Sequence, residues 1–147
     1  MKLYKNFNIS KNHEESIILI GNFDGIHLGH QKLFKLANSY KKKFNLNIGV
    51  LTFEPMPKMF FNNDITNFRI LNINQKNTIL KKLGVNFVIT QKFDKKFSLI
   101  KSDFFIKEIL SKKLKAKYIF VSNNFRFGNK REGDVKQLIK NEEKYHY

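Results

Sequence analysis

The sequence predicts an α/β fold, a parallel β-sheet flanked by helices. Three observations predict it. Four short apolar runs of strand length recur along the chain, at residues 17–20, 48–53, 85–90 and 118–121. Stretches with helical periodicity separate them, and such alternation implies parallel strands joined by right-handed crossovers. The first run ends in a glycine-rich turn, GNFDGIHLGH at residues 21–30, which opens a helix. Strand-to-helix turns of this kind, at the carboxyl ends of strands, are where open α/β sheets bind ligands. With 147 residues, no internal repeat and no dividing linker, the chain reads as one domain with a single core.

Residues 1–15 are polar and show no period, so they are expected to run along the surface before the first strand. Ile17-Ile18-Leu19-Ile20 reads as a fully buried strand and is expected to be central in the sheet. Over Leu28–Phe44, the apolar residues Leu28, Leu33, Leu36, Ala37 and Tyr40 are spaced mostly by three and four, an amphipathic helix with a lysine-rich outer face. Asn45 and Asn47 mark a turn before the strand at 48–53. That strand runs into Glu54-Pro55-Met56-Pro57, which holds both prolines of the chain and is expected to continue neither as strand nor as helix. Residues 58–73 are irregular, with Phe60 and Phe61 as apolar anchors of a loop that suits either core packing or a flap over a ligand. A helix from about Asn74 ends at Gly84 and leads into the strand at 85–90. Ser102 caps a helix reaching about Leu114, with lysines in its last turn. After the strand at 118–121, Asp134 is the N-cap or first-turn acid of a final helix at 135–142.

Chemistry concentrates in two stretches. Residues 21–30 hold two of the four histidines and three of the seven glycines. Gly21 and Gly25 allow a sharp turn and a close approach to a ligand, and the free amides of a helix start suit a phosphate. His27 and His30, three apart, face one way on the first helical turn. On the residues alone, two histidines here could also simply cap the helix. Zinc is a further option, but there is no cysteine, and His13 and His146 complete no ligand spacing, so no metal ligand is assigned. The second stretch is Ser122-Asn123-Asn124-Phe125-Arg126-Phe127-Gly128, again just past a strand. Aromatics alternating around an arginine could grip a planar ring and a phosphate together, or could form an ordinary surface loop.

Composition narrows the partners. The formal net charge of +16 would suit nucleic acid. However, lysine far outnumbers arginine, and lysine, Asn, Ile and Phe are all encoded by A/T-rich codons, so biased base composition competes as the cause and nucleic acid is not the expected partner. The lack of cysteine excludes disulfides and thiol catalysis. No apolar stretch approaches the ~20 residues that span a bilayer, and the N-terminus has no signal-peptide pattern. A cytoplasmic protein is expected.

Phe23-Asp24-Gly25-Ile26-His27-Leu28-Gly29-His30 resembles the signature of prokaryotic FAD synthetases, the bifunctional riboflavin kinase/FMN adenylyltransferases. Its core, His27-Leu28-Gly29-His30, is shared with the wider nucleotidyltransferase superfamily. TFEPMP at 52–57 resembles the family's TFEPHP segment, with Met56 where the family usually has histidine. The run from Gln75-Lys76 to Leu83-Gly84-Val85 resembles a helix–glycine–strand passage of the family, and Phe93-Asp94-Lys95-Lys96-Phe97 resembles its Phe-Asp-x-x-Phe loop. Residues 122–128 resemble the G-x-D/N-F-x-F-G loop that lines the flavin site, with Ser122 replacing the first glycine. Arg69 precedes Ile70-Leu71 much as an arginine does in the family, which suggests an anion-binding role.

The resemblance implies a Rossmann-like nucleotidyltransferase fold, here lacking the last strand. Residues 1–147 would be an FMN adenylyltransferase domain, incomplete at its C-terminus, without the Ile-Ser-Ser-Thr-x-Ile-Arg motif and without a riboflavin kinase domain. The implied reaction transfers AMP from ATP to FMN, giving FAD and pyrophosphate, with Mg²⁺ accompanying ATP. His27, His30, Asn22 and Asp24 would act at the reacting phosphates, with Asp24 either holding the turn or helping to hold Mg²⁺. Gly21, Asn22, Phe23, Gly25, His27 and His30 would bind ATP. Phe53, Pro55, Met56, Asn124, Phe125, Arg126 and Phe127 would border the flavin. Association through an open sheet edge is a further expectation. The rival readings are a transferase for another phosphate ester, a catalytically incomplete flavin or nucleotide binder, and a basic nucleic-acid-binding module.

Overall fold

A five-stranded parallel sheet organises the computed structural model, which describes residues 1–62, 64 and 69–147. Its strands are β1 (Lys2–Tyr4), β2 (Ile17–Ile20), β3 (Ile48–Glu54), β4 (Phe87–Lys92) and β5 (Tyr118–Phe120). They lie side by side in the order β1-β4-β3-β2-β5. The helices are α1 (Leu28–Phe44), α2 (Pro57–Phe61), α3 (Ile73–Lys82), α4 (Lys95–Ser98), α5 (Ser102–Phe104) and α6 (Val135–Tyr145). A π-helical stretch, Phe105–Lys113, continues directly from α5. A small antiparallel hairpin pairs β6 (Arg126–Phe127) with β7 (Gly133–Asp134).

Strand periodicity divides the core into two halves. Ile17 and Leu19 face one side of the sheet, where they join Phe34 and Ala37 of α1 and Leu80 of α3. Ile18 and Ile20 face the other side, with Phe105, Ile106, Ile109 and Leu110 of the π-helical stretch and Leu138 of α6. The chain therefore winds from β2 through β3 to β4 with α1 and α3 on one face, then crosses to β5 over the other. That reversal puts a topological switch point between the carboxyl ends of β2 and β5, and crevices at such points bind ligands. Gly49 of β3 lies opposite Phe87 of β4. A Cβ on Gly49 would come within 2.2 Å of the Phe87 ring, so that ring occupies the space a side chain would need.

Several elements depart from the sequence expectation. The central strand is β3, not β2, which stands between β3 and β5. Within the stretch expected to run along the surface, residues 2–4 form an edge strand: the Lys2 N–H donates to the Asn86 carbonyl at 2.9 Å and Tyr4 packs edge-on to Phe87. Three residues, two of them exposed, carry no hydrophobic period to read. Pro55 follows β3 across a cis peptide bond, but Pro57 opens α2. The first helical position has no need of an N–H, so proline starts a helix there that it could not continue. Helix α3 begins at Ile73 because Asn72 and Gln75 form a reciprocal capping box, and Gly84 with φ +86° follows its end. Asp94 accepts from the Phe97 N–H at 2.9 Å and so starts α4, a turn too short for periodicity to show. Within the irregular stretch at 58–73, Phe60 and Phe61 sit on α2, while Asn63 and residues 65–68 lie outside the described residues.

Candidate active site

The turn after β2 engages two of its carbonyls and leaves its N–H groups open. Positive φ angles at Phe23 (50°), Gly25 (73°) and Ile26 (38°) bend the backbone sharply. Phe23 is held in this conformation by its ring, buried against Phe34 and tilted 5.0 Å from His30. Two carbonyls of the turn are engaged inward. Asn22 O accepts from Lys76 Nζ at 3.3 Å and from Thr52 Oγ1 at 3.4 Å, and Ile26 O accepts from Gln31 Nε2 at 3.2 Å. By contrast, among the described residues the N–H groups of residues 22–27 meet no acceptor. Left-handed backbone positions with unpaired amides form an anion-binding concavity, and here it runs on into the amino end of α1, where the helix dipole favours negative charge.

The two histidines stand at that amino end. His27 occupies the N-cap position, but its side chain makes no capping bond. Its ring instead stacks on His30, with centroids 3.8 Å apart and planes at 22°. A Cβ on Gly29 would lie 3.0 Å from the His27 ring, so a glycine between the histidines leaves room for the stack. Burial, and then the neighbouring His27 imidazole, push the His30 pKa below the ordinary value. Its Nδ1 is buried and unpaired among the described residues. At neutral pH His30 is thus a neutral ring with one nitrogen lacking a partner, beside a row of free amides.

Charged groups lie beneath the turn. The Asp24 carboxylate accepts from the N–H groups of Ile70 (3.0 Å) and Leu71 (2.9 Å), so it ties the turn to the segment that leads into α3. Arg69 pairs with Glu54 at the end of β3. Lys76 of α3 is buried and also donates to Thr52 Oγ1 at 3.2 Å. Asp24, Glu54, Met56, Arg69, Leu71, Ile73 and Lys76 line a small pocket here. Sequence reading missed Lys76 as a site residue. The available signal was its helical spacing: Ile73, Lys76 and Leu80 of α3, followed by the C-cap Leu83, are spaced by three and four, and a lysine on an apolar stripe needs a partner.

The residues expected at the flavin form two groups, one after β3 and one after β5, both at the carboxyl end of the sheet. In the first, Phe53 and Met56 are buried and Pro55 is half-buried. The Phe53 ring lies 5.7 Å from Phe97 and 6.0 Å from Phe93, which in turn meets Phe60 and Phe61. In the second, Asn124 and Arg126 are exposed, and half-buried Phe125 stacks on buried Phe127 at 5.4 Å. Ser122 donates to Asn124 Oδ1 at 2.9 Å, and Arg126 pairs with Asp134 at 3.3 Å. Gly128, with φ +77°, comes so close to α5 that a Cβ would meet the Ser102 nitrogen at 2.7 Å, which pins this loop. Among the described residues no cluster of three His, Asp or Glu could hold a metal, and no helix is long and apolar enough to cross a membrane.

A family model described as FAD synthetase matches residues 9–147. The chain is 40% identical over 141 residues to the bifunctional riboflavin kinase/FMN adenylyltransferase of Buchnera aphidicola subsp. Schizaphis graminum, covering 94% of this chain and 45% of that protein. It is 37% identical over 142 residues to the Escherichia coli protein of the same name, covering 95% of this chain and 45% of that one. Among solved structures it is similar to a protein described as a macrolide-efflux protein from Streptococcus pneumoniae, with TM-score 0.78 and 30% identity over 94% of this chain and 45% of that one. The chain thus spans about half the length of the curated relatives it matches.

Proposed function

The chain belongs to the FAD synthetase family, and on that premise we propose that it transfers AMP from ATP to FMN, forming FAD and releasing pyrophosphate. A phosphate oxygen of FMN attacks the α-phosphorus of ATP, the bond from that phosphorus to the bridging oxygen of the β-phosphate breaks, and pyrophosphate leaves with the electron pair. The observation that carries this reading is the turn at 22–27, whose N–H groups have no acceptor among the described residues and adjoin the stacked His27–His30 pair.

In-line transfer of this kind needs alignment and charge neutralisation rather than a protein nucleophile. The amides from Asn22 to Gly25 and the start of α1 hold the ATP phosphates, with the Asn22 side chain adding a donor. His27 and His30 donate to the transferring group as negative charge builds on it. Asn124, Phe125 and Arg126 border the flavin over a floor of Phe53, Met56 and Phe127, beside Pro55. Mg²⁺ is proposed as an ion brought by ATP. The described residues offer it no cage, since Asp24, the one carboxylate of the turn, is engaged by Ile70 and Leu71, and Mg²⁺ commonly keeps substrate phosphates and water as ligands.

Incubating the purified chain with FMN, ATP and Mg²⁺ and separating the flavins chromatographically tests the reading. FAD should accumulate with one pyrophosphate per turnover. Binding of FMN or ATP without FAD would make the chain a binder instead. Affinity confined to nucleic acid, falling steeply with salt and indifferent to His27 and His30, would point to the basic module.

A further inference from the structure

We propose that Lys76 is a positioning residue of the adenylyl-transfer site, fixing the Asn22–Phe23 peptide from below so that the amides of the turn face the phosphate. This rests on the AMP-transfer reading above for its meaning, though not for its geometry. Lys76 Nζ reaches Asn22 O at 3.3 Å and Thr52 Oγ1 at 3.2 Å, while Thr52 Oγ1 lies 3.4 Å from the same carbonyl. Three groups, from β3, α3 and the turn, therefore meet at one peptide.

A trans peptide is planar, so its C=O and N–H point in opposite directions. Holding the Asn22 carbonyl down onto Lys76 and Thr52 turns the Phe23 N–H away from them, toward the unpaired side of the turn. Phe23 also has φ +50°, a conformation a bulky residue seldom holds without support. An ammonium suits this task because it can donate to Asn22 O and Thr52 Oγ1 at once. Its charge is balanced locally. Asp24 faces it from the turn, Glu54 from the end of β3, and Arg69 from the segment before α3, and all four line one pocket. Burial, and then Arg69, push the Lys76 pKa below the ordinary lysine value, with Asp24 opposing.

The test compares Lys76→Met, which keeps much of the volume but donates nothing, with Lys76→Arg, which keeps charge and donors. In the unliganded chain of residues 1–147, ¹⁵N relaxation should give Asn22–Gly25 amides order parameters of about 0.85, the rigid-backbone value, and below about 0.6 in Lys76→Met. Turnover to FAD should fall on the order of 10²-fold in Lys76→Met, the scale of a misplaced reacting group, while KM for FMN stays within about twofold. Lys76→Arg should recover most of both.

The pH profile separates positioning from mere packing. Activity in the wild type should fall at alkaline pH as Lys76 loses its proton, and this limb should move to higher pH in Lys76→Arg, because a guanidinium stays charged. If Lys76→Met does not fold, Lys76→Gln, which can still donate to the Asn22 carbonyl, takes its place with a smaller expected loss of order. Rigid amides in the substituted chain, or an alkaline limb that does not move in Lys76→Arg, would overturn the inference. A wild-type chain that makes no FAD would instead overturn the AMP-transfer reading, and the relaxation measurement would still decide the role of Lys76.

Discussion

His27 and His30 do their proposed work as donors in one stack, so each should matter separately. His27→Ala or His30→Ala should lower FAD formation on the order of 10²–10³-fold, the loss typical of one charge-stabilising donor. The circular dichroism spectrum should be unchanged, since neither ring caps α1. Full turnover in both variants would reject the assignment. A second consequence concerns protons. The unliganded His30 resists protonation, and a polyphosphate beside it favours the imidazolium and raises its pKa. Near pH 6.5, ATP binding should therefore take up a proton, detectable by calorimetry in buffers of different ionisation enthalpy and absent in His30→Gln. In the unliganded chain the sign is fixed by the same displacement. The unfolded imidazole takes the proton first, so stability should fall as the pH drops below the ordinary histidine value. His13, also shifted downward by burial, adds to the same trend.

Among the elements, Gly49 gives the sharpest test of packing. The Phe87 ring fills the place of its missing side chain, and His13 stacks on that ring at 4.5 Å. Gly49→Ala should cost about 1–3 kcal/mol or somewhat more, as overpacking does, read as a lower urea midpoint with unchanged slope. The same strand shows what the sequence could reveal. Strands β2 and β3 and helix α1 were legible because each carries a full hydrophobic period, and the turn at 21–30 stood out through its scarce residue types. Strand β1 and helix α4 were not legible, because three or four residues hold less than one informative period. The order of the strands was not legible either: nothing local in Ile17–Ile20 tells whether one or two strands lie beyond it. Of the candidate site, the turn at 21–30 could be read directly from its glycines and histidines. Lys76 was hidden because its partners, Asn22 and Thr52, are distant in sequence and meet it only through the fold.

At the scale of the whole molecule, 28 basic residues stand against 12 acidic ones. Such an excess makes the compact state repel itself. Raising salt from about 0.01 M to 1 M shrinks the screening length from roughly 30 Å to 3 Å, so the melting temperature should climb with added sodium chloride. A flat or falling trend would mean that local ion pairs such as Lys115–Glu14 outweigh the net repulsion. The edge strand has a consequence of a different kind. Lys2 lies against Phe87, and Ile17 against Tyr118, so two of the four pairings in this sheet join segments far apart along the chain. On the ribosome, β2 and β3 can meet early. β1 must wait, unpaired, until β4 has emerged from the exit tunnel, while β5 comes later still to close the side on which the turn at 21–30 opens. The sheet is then assembled from its middle outward, and the crevice between β2 and β5 takes shape only after the strands of the middle have paired.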